Sequence, residues 1–216
     1  MEIVPSLLSA DFIRLQEEIR AVEAAGARRL HLDIMDGHFV PNITIGPFIV
    51  EAIRKITQLH LESHLMITNP EKFIEPYIKA GSDTVGIHVE SSGDVLRDFD
   101  TIRRLGAKPG LVINPPTPFE KIETYLEFTE HLLVMTVNPG FGGQTMIKEA
   151  FAKVRLAKPY SRKYGFPIEI DGGVNIETVV DAKLAGVDLI VAGSAVFSAG
   201  KPYDNFLALT EKLQSA

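Results

Sequence analysis

Short apolar runs alternate eight times with amphipathic segments along the 216 residues of this chain, which leaves few folds open to it. Most of the apolar runs are nearly continuous, which is typical of strands covered on both faces. The segments between them repeat apolar residues at intervals of three and four, which predicts helices. Because parallel neighbours need a crossover connection, this alternation predicts a parallel sheet covered by helices.

The pattern gives explicit boundaries for eight strand-helix units. The predicted strands cover residues 3–8, 29–35, 60–67, 84–89, 110–113, 131–137, 168–170 and 189–191. The predicted helices cover residues 11–26, 46–56, 69–80, 95–105, 118–128, 146–164, 176–185 and 203–213. Eight units in a chain of this length favour an α/β fold, a single-domain (β/α)8 TIM barrel over residues 1–216, rather than a doubly wound sheet. Such barrels carry their functional groups at the carboxyl ends of the strands.

Composition excludes several classes of protein. The net charge is −6, so the charge balance favours neither a nucleic acid nor an anionic membrane as partner. The chain has no cysteine, which removes disulfides, thiol catalysis and zinc-thiolate sites, and any metal would have to use histidine and carboxylate. No segment approaches the ~18 apolar residues of a membrane span, and the N-terminus lacks a basic region followed by an apolar run. We therefore expect a cytoplasmic protein.

The second predicted strand carries a polar face. His31, Asp33 and Met35 recur at every second position, and a strand directs such residues to one surface. Asp36-Gly37 follows as a turn pair, so this polar face ends with the strand, at an opening of the fold. An unpaired buried polar group costs roughly 1–3 kcal/mol, and a metal ion is one way to compensate a histidine and a carboxylate in an apolar strand.

Residues at the ends of other strands complete a group of side chains that could bind a metal ion. Two histidines and two carboxylates fall at matching strand ends, namely His31, Asp33, His64 and Asp171. Such a set suits one divalent ion such as zinc, manganese, iron or cobalt. A histidine in an apolar strand is, taken singly, more often a hydrogen-bonded core residue. Four candidates at matching strand ends favour the metal site over that alternative.

Glycines supply a second half of the candidate site. Asp171-Gly172-Gly173 and Gly193-Ser194 end the seventh and eighth strands, where barrels often bind phosphate through backbone N–H groups. The alternative is that these glycines only satisfy left-handed turn geometry. The segment Gly140-Phe141-Gly142-Gly143 after the sixth strand is either a flexible connection or a lid over the catalytic face, and we favour the lid.

Three methionines fall on the same rim. Met35, Met66 and Met135 are each, taken singly, best explained by core packing. As a set beside two carboxylates, they suggest an apolar, polarizable pocket wall with little bound water.

Three further polar residues lie on neighbouring strands. His88 and Glu90 are interpreted as structural or supporting groups, since the fourth strand offers them no matching partner. Glu62 either orients His64, two residues further along the same strand face, or fills the barrel interior.

Seven stretches of the sequence resemble the ribulose-phosphate 3-epimerase family. They cover residues 5–12, 31–42, 64–66, 114–118, 135–144, 171–173 and 191–197. The resemblance runs from end to end of the chain. It implies a barrel that interconverts D-ribulose 5-phosphate and D-xylulose 5-phosphate in the pentose phosphate and reductive pentose pathways. It also implies a homo-oligomer, although no stripe in the sequence identifies an interface.

The resemblance assigns roles residue by residue. It makes Asp33 and Asp171 the acid/base pair and also ligands of one divalent metal ion, together with His31 and His64. The residues that it implies for binding the substrate and its phosphate, or for closing over it, are Ser6, His64, Gly140, Phe141, Gly142, Gly143, Asp171, Gly172, Gly173, Gly193 and Ser194.

Two carboxylates also suit this reaction on chemical grounds. Inversion of a carbon next to a carbonyl removes a proton from one face and returns one to the other, through an enediolate. A metal stabilises the developing negative charge, an effect worth several kcal/mol. A dry wall and a lid limit reprotonation by solvent and loss of phosphate from the intermediate.

Other functions stay open. The related allulose-6-phosphate 3-epimerases share much of segment 31–42, so that segment does not set the length of the sugar. A phosphosugar lyase or decarboxylase on this barrel would need a lysine at a strand end, and the predicted strand ends have none. A non-catalytic phosphosugar-binding barrel would keep the glycines but has no reason to pair Asp33 with Asp171. The sequence departs from the family at Glu62-Ser63, where many relatives have aspartate and then an apolar residue or cysteine, which leaves the surroundings of His64 open.

Overall fold

A computed structural model describes residues 1–215 of the chain, in which eight strands alternate with helices. The strands are β1 (Glu2–Pro5), β2 (Arg29–Met35), β3 (His60–Met66), β4 (Thr84–His88), β5 (Lys108–Ile113), β6 (His131–Met135), β7 (Ile168–Asp171) and β8 (Leu189–Ala192). The helices are α1 (Leu15–Ala24), α2 (Pro47–Ile56), α3 (Ile74–Lys79), α4 (Val95–Arg104), α5 (Glu120–Glu123), α6 (Phe151–Tyr164), α7 (Val179–Ala185), α8 (Ser194–Phe197) and α9 (Pro202–Ser215).

The strands form one parallel sheet in the order β1-β8-β7-β6-β5-β4-β3-β2. Ser6, the residue after β1, forms a parallel bridge with His31 of β2, and this contact brings the two outer strands together into a nearly closed barrel. The register of β2 and β3 pairs His31 with Glu62 and Asp33 with His64. The predicted (β/α)8 TIM barrel is confirmed.

The apolar core lies between the sheet and the surrounding helices. Leu30, Leu32 and Ile34 of β2 are buried in it, together with Val50 and Ile53 of α2. Because successive side chains of a strand point to opposite faces, the residues of β2 between these three face the barrel interior. The polar face predicted for this strand therefore lies inside the barrel.

Two segments near the mouth of the barrel differ from the prediction. The predicted first strand extends to residue 8, whereas β1 ends at Pro5 and Leu7–Ser9 forms a 3₁₀ turn. The hydroxyl of Ser6 caps this turn by accepting a hydrogen bond from the N–H of Leu8, which competes with continuation of the strand. An additional short helix, α8, directly follows β8 and was not predicted.

Helical boundaries differ most at the fifth helix. The pattern predicts a helix over residues 118–128, but only Glu120–Glu123 is α-helical. After it, the N–H groups of Tyr125, Leu126 and Phe128 bond to carbonyls three residues back rather than four, which makes turns instead of a continued α-helix. The first, third, sixth and seventh helices begin later than predicted, since the chain after β1, β3, β6 and β7 first forms loops or 3₁₀ turns. In residues 1–215, no helix combines the length and the apolar character that crossing a bilayer requires.

Candidate active site

Four side chains from three strands converge on one point inside the barrel. His31 and Asp33 come from β2, His64 from β3 and Asp171 from the end of β7. Asp33 and His64 are partners in the β2–β3 register, which brings their side chains together from neighbouring strands. Three of the four residues are buried, and Asp171 keeps 15% of its side-chain exposure.

The candidate ligand atoms are close enough together to share one cation. His31 Nε2 lies 3.5 Å from Asp33 Oδ1 and 3.9 Å from Asp171 Oδ2. His64 Nδ1 lies 3.4 Å from the same Asp33 oxygen, 3.7 Å from the same Asp171 oxygen and 3.2 Å from His31 Nε2. Four ligands at the ~2.0–2.1 Å typical of zinc would be about 3.4 Å apart in a tetrahedral site. These residues therefore fit a divalent metal ion.

The close approach of these groups separates the pKa values of the two aspartates. Burial on its own would raise the pKa of Asp33, but His31 and His64 hold it well below its usual range. Burial and the negative charge of Asp33 raise the pKa of Asp171 to about 7. Asp33 is thus the stronger acid of the pair, and Asp171 holds a proton up to near-neutral pH.

The two histidines are shifted in opposite directions. Burial on its own would lower the pKa of His31, but Asp33 raises it well above its usual value. Burial lowers the pKa of His64 to about 3, and the neighbouring His88 and His31 contribute to this shift. His64 is therefore a neutral imidazole at physiological pH, which is the form that can bind a metal.

The carboxylate of Asp33 is held from the neighbouring strand end. Ser6 Oγ donates a 2.6 Å hydrogen bond to Asp33 Oδ2, so the other carboxylate oxygen faces the histidines. The hydroxyl of Thr44 donates to the backbone carbonyl of Asp33 and accepts from the N–H of Met35 at 2.9 Å. These bonds fix the end of β2 against the loop that follows it.

An ion pair lies behind His31 in the barrel interior. Arg29 Nη1 donates a 2.6 Å hydrogen bond to Glu62 Oε1, and Glu62 Oε2 lies 3.9 Å from His31 Nδ1. This position follows from the β2–β3 register, which pairs His31 with Glu62. Of the two predicted roles of Glu62, orientation of His64 is therefore wrong, and Glu62 fills the barrel interior with Arg29 as its partner.

The barrel interior holds a second buried histidine–carboxylate pair, which the sequence pattern did not predict. His131 Nε2 and Glu169 Oε2 are 2.7 Å apart, and both residues are nearly completely buried. Burial on its own would lower the pKa of His131, but the carboxylate of Glu169 raises it. Glu169 alternates with Asp171 on the same face of β7, and this period of two is the signal that could have identified it.

A hydrogen-bonded series of side chains lies behind His64. His64 Nε2 is 2.8 Å from His88 Nε2, and His88 Nδ1 is 3.1 Å from Glu90 Oε2. Glu90 Oε1 accepts a 2.9 Å hydrogen bond from the backbone N–H of Asn114. The expectation that the fourth strand offers His88 and Glu90 no partner is therefore wrong, because the two residues contact each other and His64 reaches His88 from the neighbouring β3. Their interpretation as structural or supporting groups is not contradicted.

A cleft opens above the four converging side chains at the carboxyl ends of the strands. Of the predicted substrate and wall residues, those that line it are Ser6, Met35, Met66, Met135, Gly140, Phe141, Gly142, Gly143, Asp171, Gly172, Gly173, Gly193 and Ser194. Asp33 also lines the cleft, whereas His31 and His64 are not among its lining residues. Ser9 and Asn175 line it as well and were not predicted, because Ser9 lies in the 3₁₀ turn after β1 and Asn175 in the loop after β7, where no periodic pattern marks them.

The loop after β6 borders this cleft and is held by side-chain amides. Gln144 Nε2 donates 2.8 Å hydrogen bonds to the carbonyls of Asn138 and Phe141, which give the loop a defined turn. Asn42 Nδ2 donates at 2.7 Å to the carbonyl of Gly140 and so connects this loop to the one after β2. Phe141 is 56% exposed although it lines the cleft, which leaves its ring available to cover a bound molecule.

Two glycines allow the chain after β7 to approach the chain after β6 closely. Gly172 has a φ of +118°, and a Cβ on it would lie 2.3 Å from the side chain of Val137. Gly173 has a φ of +70°, and a Cβ on it would lie 2.4 Å from the backbone nitrogen of Met146. Side chains are therefore excluded here both by backbone conformation and by lack of space.

The sequence is similar to the ribulose-phosphate 3-epimerase family over residues 2–197. A ribulose-phosphate 3-epimerase of Synechocystis sp. is 49% identical over 201 residues, which cover 91% of this chain and 87% of the relative. The enzyme of the same name from Bacillus subtilis is 47% identical over 200 residues, covering 91% of this chain and 92% of the relative. That of Mycobacterium bovis is 44% identical over 216 residues, covering 99% and 93%.

Solved structures of lower identity share the fold. A 3-hexulose-6-phosphate synthase superposes with a TM-score of 0.75 at 15% identity, over 99% of this chain and 100% of that chain. A tryptophan synthase α-subunit from Pyrococcus furiosus superposes with a TM-score of 0.73 at 17% identity, over 100% of this chain and 98% of that chain. At these identities the likeness shows the barrel alone.

Proposed function

This chain belongs to the ribulose-phosphate 3-epimerase family and is an enzyme of the isomerase class, and we propose that it inverts carbon 3 of D-ribulose 5-phosphate to give D-xylulose 5-phosphate by proton transfer between two aspartates. The observation that carries this proposal is the convergence of Asp33 and Asp171 on the same two histidine nitrogens at the floor of the cleft.

The two aspartates are placed to act as acid and base. In the sheet, β2 and β7 are separated by β1 and β8, so the carboxylates enter the site from different directions. One carboxylate accepts the proton from carbon 3, and the other, in its protonated form, delivers a proton to the opposite face. The same pair exchanges roles in the reverse direction.

We assign His31, Asp33, His64 and Asp171 as the residues that hold one divalent ion, namely zinc, manganese, iron or cobalt. When bound there, such an ion supplies positive charge that stabilises the negative charge developing on the oxygens of the substrate. The histidines then hold its position, and Ser6 keeps the carboxylate plane of Asp33 fixed through its hydrogen bond.

The phosphate end of the substrate is proposed to lie against the glycines of the cleft. Gly172, Gly173, Gly193 and Ser194 line it together with the loop of Gly140–Gly143, and none of these four carries a long side chain that would fill the space. Backbone N–H groups in such a cradle can donate to phosphate oxygens without a lysine. The loop is the proposed lid.

The proposed pocket wall limits access of water to the reacting carbon. Met35, Met66 and Met135 line the cleft and are almost completely buried. Apolar, polarizable side chains at this position leave few partners for a bound water molecule. An intermediate deprotonated at carbon 3 is then reprotonated by the aspartates rather than by solvent.

The experiment that tests the proposal is exchange at carbon 3. The purified protein is incubated with D-ribulose 5-phosphate in heavy water, with and without prior chelation, and carbon 3 is followed by NMR. We expect chelator-sensitive conversion to D-xylulose 5-phosphate with deuterium at carbon 3. Conversion of allulose 6-phosphate alone would instead support the six-carbon epimerase, and binding of either sugar without exchange would support a non-catalytic phosphosugar-binding barrel.

We also propose that the chain forms a homo-oligomer. Large apolar side chains are strongly exposed on the monomer, among them Ile13 at 95%, Ile43 at 75% and Phe48 at 72%. Sedimentation of the purified protein tests this, and a monomer at micromolar concentration would contradict it.

A further inference from the structure

The series of hydrogen bonds behind His64 ends on a group that can only accept. Glu90 uses its two carboxylate oxygens separately: Oε1 accepts from the backbone N–H of Asn114 at 2.9 Å, and Oε2 lies 3.1 Å from His88 Nδ1. An ionised carboxylate has no proton to donate. The proton between Glu90 and His88 is therefore on Nδ1 of His88.

This fixes the direction of the next hydrogen bond. A neutral imidazole carries one N–H and one lone pair, so His88 with its proton on Nδ1 has an accepting Nε2. His88 Nε2 lies 2.8 Å from His64 Nε2, which must then be the donor. His64 is left with its lone pair on Nδ1, and Nδ1 is the atom that faces Asp33, Asp171 and His31.

The carboxylate of Glu90 is itself fixed. The carbonyl of Asn114, whose N–H bonds to Glu90, accepts a 2.7 Å hydrogen bond from Lys153 Nζ, and the neighbouring carbonyl of Pro115 accepts another at 2.5 Å. His88 is completely buried and packs against the rings of His64 and Phe39. Neither the His88 ring nor the His64 ring can turn over without breaking these contacts.

We propose that Glu90 and His88 are positioning residues that hold His64 as the Nε2–H tautomer and thereby present its Nδ1 lone pair to the metal assigned above. The inference rests on the proposed function for the identity of what Nδ1 binds. For the tautomer, it rests on the hydrogen-bond geometry together with an ionised Glu90 and a neutral His88. We call the series from Asn114 through Glu90 and His88 to His64 the His64 relay.

A glutamine cannot replace Glu90 in the His64 relay. In Glu90→Gln, the amide oxygen can accept from the N–H of Asn114, and the NH₂ group then points at His88 Nδ1. This orientation favours a His88 with its proton on Nε2, which donates to His64 Nε2. The His64 proton is then on Nδ1. If the amide is turned over, its NH₂ group meets the N–H of Asn114, and two donors face each other. Either orientation weakens the presentation of the His64 lone pair, although the side chain keeps its size.

The first test reads the tautomers directly. In the intact protein with ¹⁵N-labelled histidine, protonated and unprotonated ring nitrogens differ in chemical shift, and single substitutions assign the six histidines. At neutral pH in the presence of a chelator, we expect a proton on Nε2 of His64 and on Nδ1 of His88. A His64 ring protonated on Nδ1 would overturn the proposal, whatever the enzyme binds or catalyses.

The second test reads the consequence for metal binding, with Co²⁺ alone as probe and its visible absorption as signal. We expect Glu90→Gln to weaken Co²⁺ binding by about 10- to 100-fold, as loss of such supporting hydrogen bonds does in other metal sites. Asp98→Asn is the matched control. Asp98 is a buried carboxylate in the first turn of α4 that accepts a 2.7 Å hydrogen bond from Ser92, and it lies outside the His64 relay. Equal affinity in Glu90→Gln and the native chain would overturn the proposal.

The two tests separate this inference from the proposed function. If the native chain binds no Co²⁺, the metal assignment fails while the histidine spectrum still decides the tautomers. If Glu90→Gln does not fold, the spectrum of the native chain carries the test by itself. If Asp98→Asn weakens Co²⁺ binding as much as Glu90→Gln, the effect is general destabilisation and the positioning role is wrong.

Discussion

Ser6 Oγ and Asp33 Oδ2 are joined by a 2.6 Å hydrogen bond across the line where the two outer strands of the barrel meet. Both residues are buried, and Ser6 also forms the backbone bridge that links β1 to β2. The contact that brings the barrel edges together thus also orients one of the two carboxylates of the site. Because the bridge uses the backbone of Ser6, we expect removal of the hydroxyl to affect chemistry more than closure of the barrel.

We expect Ser6→Ala to lower kcat by about tenfold or more, because hydrogen bonds to charged groups contribute ~1.5–3 kcal/mol and each ~1.4 kcal/mol is tenfold in rate. Steady-state kinetics of epimerisation measure this. Ser161→Ala is the control, since its hydroxyl donates a bond of the same 2.6 Å length to the carbonyl of Phe166 outside the site. An unchanged kcat in Ser6→Ala would show that the rest of the site orients Asp33 sufficiently.

Asp171→Asn is expected to abolish turnover while leaving the fold intact. The variant keeps the shape of the side chain but cannot carry the proton, and general acid–base groups contribute ~10²–10⁴-fold. The measurement is deuterium uptake at carbon 3, with circular dichroism and thermal unfolding as checks of the fold. Asp100→Asn, at an 82% exposed side chain on α4, should behave as the native chain in every assay. Near-normal epimerisation by Asp171→Asn would rule out the two-aspartate mechanism.

Gly173→Ala should cost more stability than the same change at a glycine with similar φ but open surroundings. At Gly165, which has a φ of +82° and no atom within 4 Å of an added Cβ, alanine is expected to cost ~1–2 kcal/mol from backbone strain alone. At Gly173 the added Cβ also meets the backbone of Met146, so a larger loss and a raised KM are expected. Urea unfolding and substrate titration compare the two variants. Equal losses would mean that the loop yields to the added atom.

A pH-dependent contribution to stability is expected from Asp36, in the loop after β2. Backbone and side-chain hydrogen bonds from Thr68 and backbone bonds from Phe39 and His38 outweigh the effect of burial and lower its pKa to about 2. Because the pKa is lower in the folded chain, this contribution is present above the unfolded pKa near 3.8 and is lost as the pH falls toward 2.

Asp36→Asn tests this, since an amide has a single accepting oxygen. In Asp36, Oδ1 accepts from the N–H groups of His38 and Phe39 while Oδ2 accepts two bonds from Thr68, and the amide can replace only one of these oxygens. We expect a loss of ~1–3 kcal/mol at neutral pH, measured by urea unfolding, that shrinks toward zero near pH 2. A difference between Asp36→Asn and the native chain that is constant from pH 7 to pH 2 would contradict the assignment.

Removal and return of metal should change the thermal stability of the protein. A ligand that binds only the folded chain stabilises it by ~2.7 kcal/mol at 100 times its Kd, which corresponds to roughly 5–10 °C in Tm for a chain of this size. After chelation, we expect added Zn²⁺ or Co²⁺ to raise Tm by this order in the native chain and in Asp100→Asn. Asp33→Asn, which lacks one proposed ligand, should show a clearly smaller rise. No rise in the native chain would contradict the metal assignment.

The barrel and the rim on which the site lies could be predicted from the order of apolar and helical segments along the chain. Apolar runs that alternate with helical periodicity allow few other folds, and residues two apart on a strand must share a face, as His31 and Asp33 do. Strand order then follows chain order, so residues at the ends of strands could be assigned to one rim. The grouping of His31, Asp33, His64 and Asp171 was reached in this way, while their catalytic and metal-binding roles stay predictions.

The side chains that lie behind these residues could not be predicted, because they are set by the packing of the strands in three dimensions. Which residue of β3 stands beside His31 depends on the β2–β3 register, which periodicity leaves free, and the register places Glu62 there rather than behind His64. His88 finds His64 because side chains on adjacent strands meet at a distance set by sheet geometry, not by sequence spacing. Contacts between residues far apart in the chain are fixed by the packing of the closed barrel, and they decide how the groups named by the sequence are held.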